Sequence, residues 1–513
     1  MQKYVNIVLG IIILSTSSAV FAEGEKFEPT SKEQLDKFYS TPERSVTVKI
    51  HEGQKLHSIE NGFLGIDMGY FNVTDEIWKK YNILEKLKTA GIGSLRYPGG
   101  METAFFHWEH PGVNGYEDLW DPNEKHGTSP GRGKFQLTWV PPDKWSTNQS
   151  FMDFDEFMQA CQTLKAEPVV GLNLTSGVKH NRHKEGLDEA IRWLRYCKEK
   201  NYKVTYWYLD TEPWNGGASY TFKDMEYADE VNLYGKALKA EFPDIKLIAN
   251  PTSSTSYNYW DWLEKFVAKT RGFVDFIDVH WYWASGKGSF DYWLKNTPLQ
   301  TGDKWKKEEW DRSYAEDIRL IKEACARAGE PNMGLVALEW NIGPSNGSQI
   351  LSQQLVAVIQ AEILMEYLRD DVRLTCLWPL LWQSSRDVWS EQDFFPSIIT
   401  QEPPFAPTLT SDMFRMFSAV RGKAVIASES SNKDLPVVAA SDETGHKILF
   451  IINKNALRRK VTINLDEKIA GKVSAEMIGL KHQVCQPQEV NVENEKGLTF
   501  YAEPFSFTAI RIE

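Results

Sequence analysis

Val204–Trp214 reads VTYWYLDTEPW, six aromatic, β-branched or aliphatic residues followed by Asp210, Thr211 and Glu212 and a Pro-Trp stop. Such a run is a buried strand that ends in polar groups. The pattern recurs at Gly62–Asp67, Ser94–Tyr97, Pro168–Asn173, Lys246–Asn250, Phe276–His280, Gly334–Glu339 and Thr375–Pro379, which makes eight strands. Amphipathic stretches at helical spacing lie between them, among them Asp153–Lys165, Leu187–Lys200, Tyr227–Glu241 and Arg312–Ala328. Strand and helix alternating eight times predict an α/β fold, a (β/α)8 TIM barrel. The rival, a doubly wound sheet, rarely reaches eight units, and no G-x-G-x-x-G follows the first strand.

Past Arg421 the helical period vanishes. Short strands are expected at Leu435–Ala440, Lys447–Asn453, Arg459–Leu465, Val473–Ile478 and Phe505–Ile512. They predict a C-terminal antiparallel β-sandwich. At the other end, Lys3, the apolar run Val5–Leu14 and Val20-Phe21-Ala22 before Glu23 have the form of an export signal. A membrane anchor is the alternative. The expected parts are a signal peptide at 1–22, a segment at 23–55 whose strand Ser45–Ile50 joins the sandwich, the barrel at 56–420 and the sandwich at 421–513. A secreted or periplasmic protein follows.

Composition narrows the partners. The 513 residues carry a net charge of −12, which argues against nucleic acid and against an anionic membrane surface. Tryptophan, at 19, outnumbers methionine, at 11. Indoles beyond the needs of a core are platforms for ligands with apolar faces, sugars foremost; large aromatic cores are the plain alternative. Five scattered cysteines form no C-x-x-C pair, so no metal set is expected; Cys161 and Cys197 either bridge or are inert buried thiols.

Working residues of a TIM barrel lie at the C-terminal ends of its strands. Those ends supply Arg96, Asn173, Thr211, Glu212, His280, Tyr282, Glu339 and Trp378, with Trp108, Trp214 and Trp382 nearby. Glu212 and Glu339 end the fourth and seventh strands. Two carboxyl groups across a barrel mouth can flank one glycosidic bond. One protonates the leaving oxygen; the other attacks the anomeric carbon or activates water. Glu339 would be kept ionised by Arg96 and Tyr282, and Glu212, beside that charge, would stay protonated. A glutamate after a strand is often a mere surface charge, but a buried one needs a partner or a task. His280 could equally be a satisfied barrel histidine or a substrate contact. No metal or organic cofactor is required.

Here the chain resembles the clan A retaining glycoside hydrolases, and locally the α-L-arabinofuranosidases and the algal-galactan hydrolases (agarase, porphyranase and carrageenase types). The likeness rests on LRYPGG (Leu95–Gly100) with Trp108, FDEFMQACQTLKAEPVVGLNLTSG (Phe154–Gly177), EAIRWLRYC (Glu189–Cys197), YWYLDTEPW (Tyr206–Trp214) and ALEWN (Ala337–Asn341). It implies Glu212 as acid/base, Glu339 as nucleophile, Arg96 and Tyr282 as partners of the nucleophile, and His280 as a sugar contact. Thr211 stands where the clan usually has an Asn that holds the sugar's 2-hydroxyl. Either the glycone is bound differently or turnover is reduced.

Lys179–Glu185 reads KHNRHKE, a local cationic rim on an acidic chain. Through His180 and Arg182 it could hold a sulfate or uronate; a solvated loop is the plain alternative. The expected function is therefore endo-hydrolysis of a matrix polysaccharide, an algal galactan. Removal of arabinofuranosyl side chains is the alternative, and a carbohydrate-binding protein without catalysis is a third.

Overall fold

The computed structural model describes residues 44–69, 75–109, 118, 120, 152–214, 220–223, 225–251, 259–283, 293–294, 299–301, 311–342, 351–381, 396–401 and 403–513. The expected leader and Trp382 lie outside them.

After β1 (Arg44–Ser58) come the barrel strands β2 (Leu64–Asp67), β3 (Ser94–Tyr97), β4 (Glu167–Leu172), β5 (Tyr206–Leu209), β6 (Lys246–Ala249) and β7 (Phe276–Asp278). The last continues as β8 (Trp281–Trp283). A small hairpin, β9 (Leu299–Thr301) with β10 (Asp311–Ser313), precedes β11 (Gly334–Ile342) and β12 (Val372–Leu377). All barrel neighbours pair in parallel, and β12 pairs with both β11 and β2, so the eight-stranded barrel closes.

Side-chain parity explains the barrel's two cores. On β5, Tyr208 points inward to meet Val169, Ile248, Val336, Leu338 and Leu374. Trp207 and Leu209 point outward into the helical layer. Gly171 makes room for the Tyr208 ring, since a Cβ there would lie 2.2 Å from its Cζ. The surrounding helices start where the sequence provides caps. Phe154–Leu164 opens on a reciprocal capping box of Asp153 and Glu156, and Lys165 ends it in a left-handed conformation.

One expected strand is broken. Phe276–His280 ends at Asp278 and resumes at Trp281. Asp278 Oδ1 accepts the Leu338 N–H (2.8 Å) and Asp278 Oδ2 faces His280 Nε2 (3.0 Å), so side-chain bonds supplement the backbone bond in the gap, Val279 N–H to the Val336 carbonyl (3.1 Å).

The C-terminal strands are β13 (Ala424–Ser430), β14 (Val437–Ser441), β15 (Lys447–Asn453), β16 (Arg459–Leu465), β17 (Val473–Gly479), β18 (Gln486–Pro487), β19 (Val490–Asn494), β20 (Gly497–Ala502) and β21 (Ser506–Ile512). With β1 they form one continuous ten-stranded curled sheet, in the order β18-β17-β21-β15-β14-β13-β1-β16-β20-β19. β1 sits inside it, antiparallel to β13 and parallel to β16. Strand β13 and the β19–β20 hairpin were not expected, because their alternation is weak: β13 is mostly half-buried and β19 is largely exposed.

β15 is buried at every position because both its faces are covered. Leu449 and Ile451 join Val48, Ile463 and Phe500 inside the curl. Phe450 turns the other way, and its ring stacks on Phe417 (4.1 Å) from the helix Leu409–Phe417. Phe507 stacks on Phe417 as well (5.3 Å). Barrel helices and sheet thus share a core, supplemented by the buried Lys454–Glu362 ion pair (3.0 Å). Phe417→Ala is expected to lower unfolding free energy by about 3–5 kcal/mol in a urea titration. All five cysteines are free thiols, Cys161 and Cys197 included. Among the described residues no helix is long and apolar enough to cross a membrane.

Candidate active site

The end of β5 turns sharply. Asp210 (φ 67°) and Glu212 (φ 44°) are both left-handed, a conformation that costs a non-glycine residue about 1–3 kcal/mol. Asp210 holds the turn. Its carboxylate accepts from the N–H groups of Leu174 (3.1 Å), Thr175 (2.7 Å) and Thr211 (2.7 Å) and from the Thr175 hydroxyl (2.7 Å). Burial nevertheless pushes the acid up to about 6. The Glu212 N–H donates to Asn250 Oδ1 (2.9 Å), and Asn250 Nδ2 donates to the Asp278 carbonyl (2.9 Å). Two neighbouring strands therefore fix the backbone of Glu212.

Glu339 lies three residues before the end of β11 and reaches the same turn. Its Oε1 accepts from Arg96 Nη1 (2.7 Å) and its Oε2 from the Tyr282 hydroxyl (3.0 Å). Arg96, wholly buried, donates further to Asp67 Oδ2 (2.9 Å), to the Leu338 carbonyl (3.1 Å) and to Thr211 Oγ1 (2.7 Å), and lies over the Tyr208 ring at 4.5 Å. Burial lifts the Asp67 acid, Arg96 pulls it back and Glu339 lifts it again, leaving it at about 7.

His280 joins the two glutamates. Its Nδ1 lies 2.8 Å from Glu212 Oε1 and 3.3 Å from Glu339 Oε2, and its Nε2 faces Asp278 Oδ2. With a carboxylate oxygen at each ring nitrogen, the imidazole is a double donor. Burial works against its charge, but Glu339 and Asp278 outweigh it and raise the imidazole well above its ordinary value. Ligand atoms of Glu212, His280 and Glu339 all lie within 4.8 Å of one another. They are the described residues that could hold a divalent cation, and the same spacing suits two carboxyl groups that share one substrate carbon. Retaining glycosidases use about 5–5.5 Å and inverting ones about 6.5–9.5 Å.

Other expected residues are placed differently. Trp378 stays beside the glutamates' partner Tyr282, edge-on to it at 6.1 Å. The Trp214 indole N–H is buried and has no acceptor among the described residues. Trp108 stacks on Trp193 (5.7 Å) and donates to the Glu189 carbonyl (3.2 Å), as part of the helical wall. Phe105, Phe106, Trp281 and Trp283, which could have lined subsites, are core residues. Asn173 braces the start of the helix Thr175–Lys179, donating to Ser176 Oγ (2.8 Å) and accepting the Ser176 N–H (2.9 Å).

The cationic rim is internally paired. His180 Nε2 meets Asp118 Oδ2 (2.8 Å), Arg182 lies over Trp120 (4.1 Å), His183 Nδ1 meets Glu230 (2.8 Å) and Lys184 Nζ meets Asp188 (3.8 Å). This loop serves as an anchor. At its base His107 bridges Glu189 (2.9 Å) and Asp118 (3.3 Å). Burial pushes the imidazole down, yet the two carboxylates carry it up to about 10. Its contribution to stability is therefore complete below its unfolded value near 6.5 and is lost as pH climbs toward 10. His107→Gln is expected to flatten the fall in melting temperature between pH 6.5 and 10; an unchanged slope would show that the cluster does not titrate there.

The sequence reading missed Asp67, Glu102, Asn250 and Asp278. Asp67 and Asn250 close expected strands, so the strand-end rule that found Glu212 would have found them. Asp278 sits two residues before His280, the same-face spacing of a strand.

Residues 86–297 match the family model described as Alpha-L-arabinofuranosidase 1 domain. The α-L-arabinofuranosidase C of Emericella nidulans is 30% identical over 205 residues, which are 37% of this chain and 36% of that protein. An intracellular exo-α-(1→5)-L-arabinofuranosidase of Acetivibrio thermocellus is 23% identical over 291 residues, 52% of this chain and 50% of that one. The chain thus spans about a third to a half of the length of the curated relatives it matches. The solved family 51 α-L-arabinofuranosidase from Bifidobacterium longum superposes with a TM-score of 0.65 at 15% identity, covering 92% of this chain and all of that one. The chain resembles the clan A glycoside hydrolases of the arabinofuranosidase kind, and its fold is a TIM barrel with a C-terminal antiparallel β domain.

Proposed function

We propose that this protein is a retaining glycoside hydrolase that releases terminal α-L-arabinofuranosyl groups from a polysaccharide. The observation that carries the reading is the pair Glu212 and Glu339, with carboxylate atoms within 4.8 Å and joined through His280 at the C-terminal mouth of the barrel. The relatives favour the side-chain-removing alternative over an endo-acting galactan hydrolase. The contacts that His180 makes to Asp118 and Arg182 to the Trp120 ring also weaken the case for an anionic galactan.

In the first step Glu339 attacks the anomeric carbon while Glu212 donates its proton to the leaving oxygen. The glycosidic C–O bond breaks and a glycosyl ester forms on Glu339. In the second step Glu212 takes a proton from water, the water attacks the same carbon, and the ester bond breaks. Arg96, Tyr282 and His280 donate to the carboxylate that must carry negative charge before the attack and after the release. Thr211 gives its hydroxyl oxygen to Arg96, so its own hydroxyl proton is what it can offer a sugar. The leader reading at 1–22 makes the protein an exported one.

The test is proton NMR of the first product released from 4-nitrophenyl α-L-arabinofuranoside, with product sizing on arabinan, arabinoxylan and a sulfated galactan. The α-anomer of free arabinose is the expected result. A β-anomer would refute retention. Oligosaccharides from the galactan, with no arabinose from the other polymers, would refute the substrate.

A further inference from the structure

We propose that Glu102 is a third carboxyl of this pocket, which holds a non-reacting hydroxyl of the glycone and so selects the sugar ring; the proposal deepens the glycosidase reading and rests on it. β3 leads through Pro98, Gly99 and Gly100 into the short 3-10 helix Met101–Phe105. The Glu102 side chain folds back over that turn. Gly99 permits this, with φ of +140°: a Cβ there would overlap Glu102 Oε1 and lie 2.8 Å from the Gly69 Cα. A Cβ on Gly100 would lie 3.0 Å from Glu339 Oε1, 3.2 Å from Trp378 Nε1 and 3.6 Å from Glu102 Oε2. Three groups from three parts of the barrel rim thus surround one point. They are the carboxylate assigned as nucleophile, an indole N–H donor and a further acid.

The side of Glu339 on which this point lies gives it meaning. Glu339 Oε2 faces Tyr282 and His280, and through His280 the proton donor Glu212. Glu339 Oε1 faces Arg96 and the Gly100 point. The leaving group departs on the Glu212 side, so Glu102 lies toward the glycone. The residue is only 3% exposed. The nearby guanidinium of Arg96 already donates to Asp67 and Glu339. Burial, reinforced by Asp67, raises the Glu102 acid well above the usual carboxylate range. A neutral carboxylic acid both donates and accepts, which matches a sugar hydroxyl. It also adds no charge beside the nucleophile.

The test uses 4-nitrophenyl and 2,4-dinitrophenyl α-L-arabinofuranosides. Glu102→Leu is expected to lower kcat/KM by about 10–100-fold, the loss of one or two hydrogen bonds to substrate. The factor should be the same for both leaving groups, because the contact is to the glycone. Glu102→Gln, which also donates and accepts, should recover most of the loss, with melting temperatures of all variants tracking the wild type. Wild-type kcat/KM in Glu102→Leu, or equal losses in the Leu and Gln variants, would overturn the proposal. If the Leu variant does not fold, Glu102→Asp replaces it. The retracted acid must lose activity while Gln keeps most of it, and the reverse order overturns the proposal. If the wild type cleaves the nitrophenyl galactoside or xyloside instead, the arabinoside reading fails alone and the variants are ranked on that glycoside. If it cleaves none of the three, both fall together.

Discussion

Glu339→Ala is expected to lower kcat/KM on 4-nitrophenyl α-L-arabinofuranoside by about 10⁴-fold or more, the scale seen when a nucleophile is removed. The variant keeps the Arg96–Asp67 pair, so it should fold. It also leaves a space on the face from which the carboxylate attacked. Azide, small and anionic, fits that space and the donors that served Glu339, namely Arg96, Tyr282 and His280. Added azide should restore nitrophenol release. Attack from the same face should give the glycosyl azide of inverted configuration. Azide rescue of Glu339→Ala with inverted product identifies the nucleophile; rescue with retained configuration would assign that role elsewhere. A binding protein without catalysis predicts something different: no turnover in the wild type and unchanged affinity for oligosaccharides in the variant.

A stability effect as large as that of Phe417→Ala is expected at Arg96. Its guanidinium reaches two carboxylates, a carbonyl and a hydroxyl with no solvent exposure. Arg96→Met would leave Asp67 buried without its cation and Glu339 with only the His280 imidazole beside it. Breaking a buried pair in this way costs about 3–5 kcal/mol, more than replacing both partners together. Urea unfolding of Arg96→Met should show that loss, and Asp67→Asn in the same chain should recover part of it. Arg96→Lys keeps the charge but lacks the planar fork, and cannot serve Thr211 and Asp67 together. It should fall between the wild type and Met. Arg96→Met as stable as the wild type would mean that Asp67 and Glu339 do not depend on the Arg96 charge in the folded protein.

What the sequence could and could not reveal follows from how local each signal is. The barrel strands were legible because each is a short apolar run with a polar end, and Ser94–Tyr97 matches its observed limits. That Glu212 and Glu339 come together was legible for the same reason. Asn173 looked like a site residue by the same rule, yet its amide was needed by the next helix. The rule finds strand ends, and local capping then competes for what it finds. The partners of the cationic rim were not legible because pairing is three-dimensional: Asp118 and Glu230, which meet His180 and His183, lie far from them in sequence. The aromatic excess divides in the same way. Trp281 and Trp283 fill the core while Trp378 stays beside Tyr282, and composition cannot tell them apart. Glu102 was invisible because its position depends on a glycine turn that brings a residue past the strand back over the rim.

The place of β1 bears on how the chain assembles. The Thr47 N–H donates to the Ser431 hydroxyl across 384 residues, and Val48 finds both Ser430 and Ile463 as neighbours. On a ribosome the first strand emerges long before either flanking strand exists, so it must wait, unzipped, while the whole barrel is made. A fragment that stops at the end of the barrel would carry a sticky, half-apolar ribbon with nothing to clasp it. Aggregation rather than an independent catalytic domain is the outcome to expect from such a truncation.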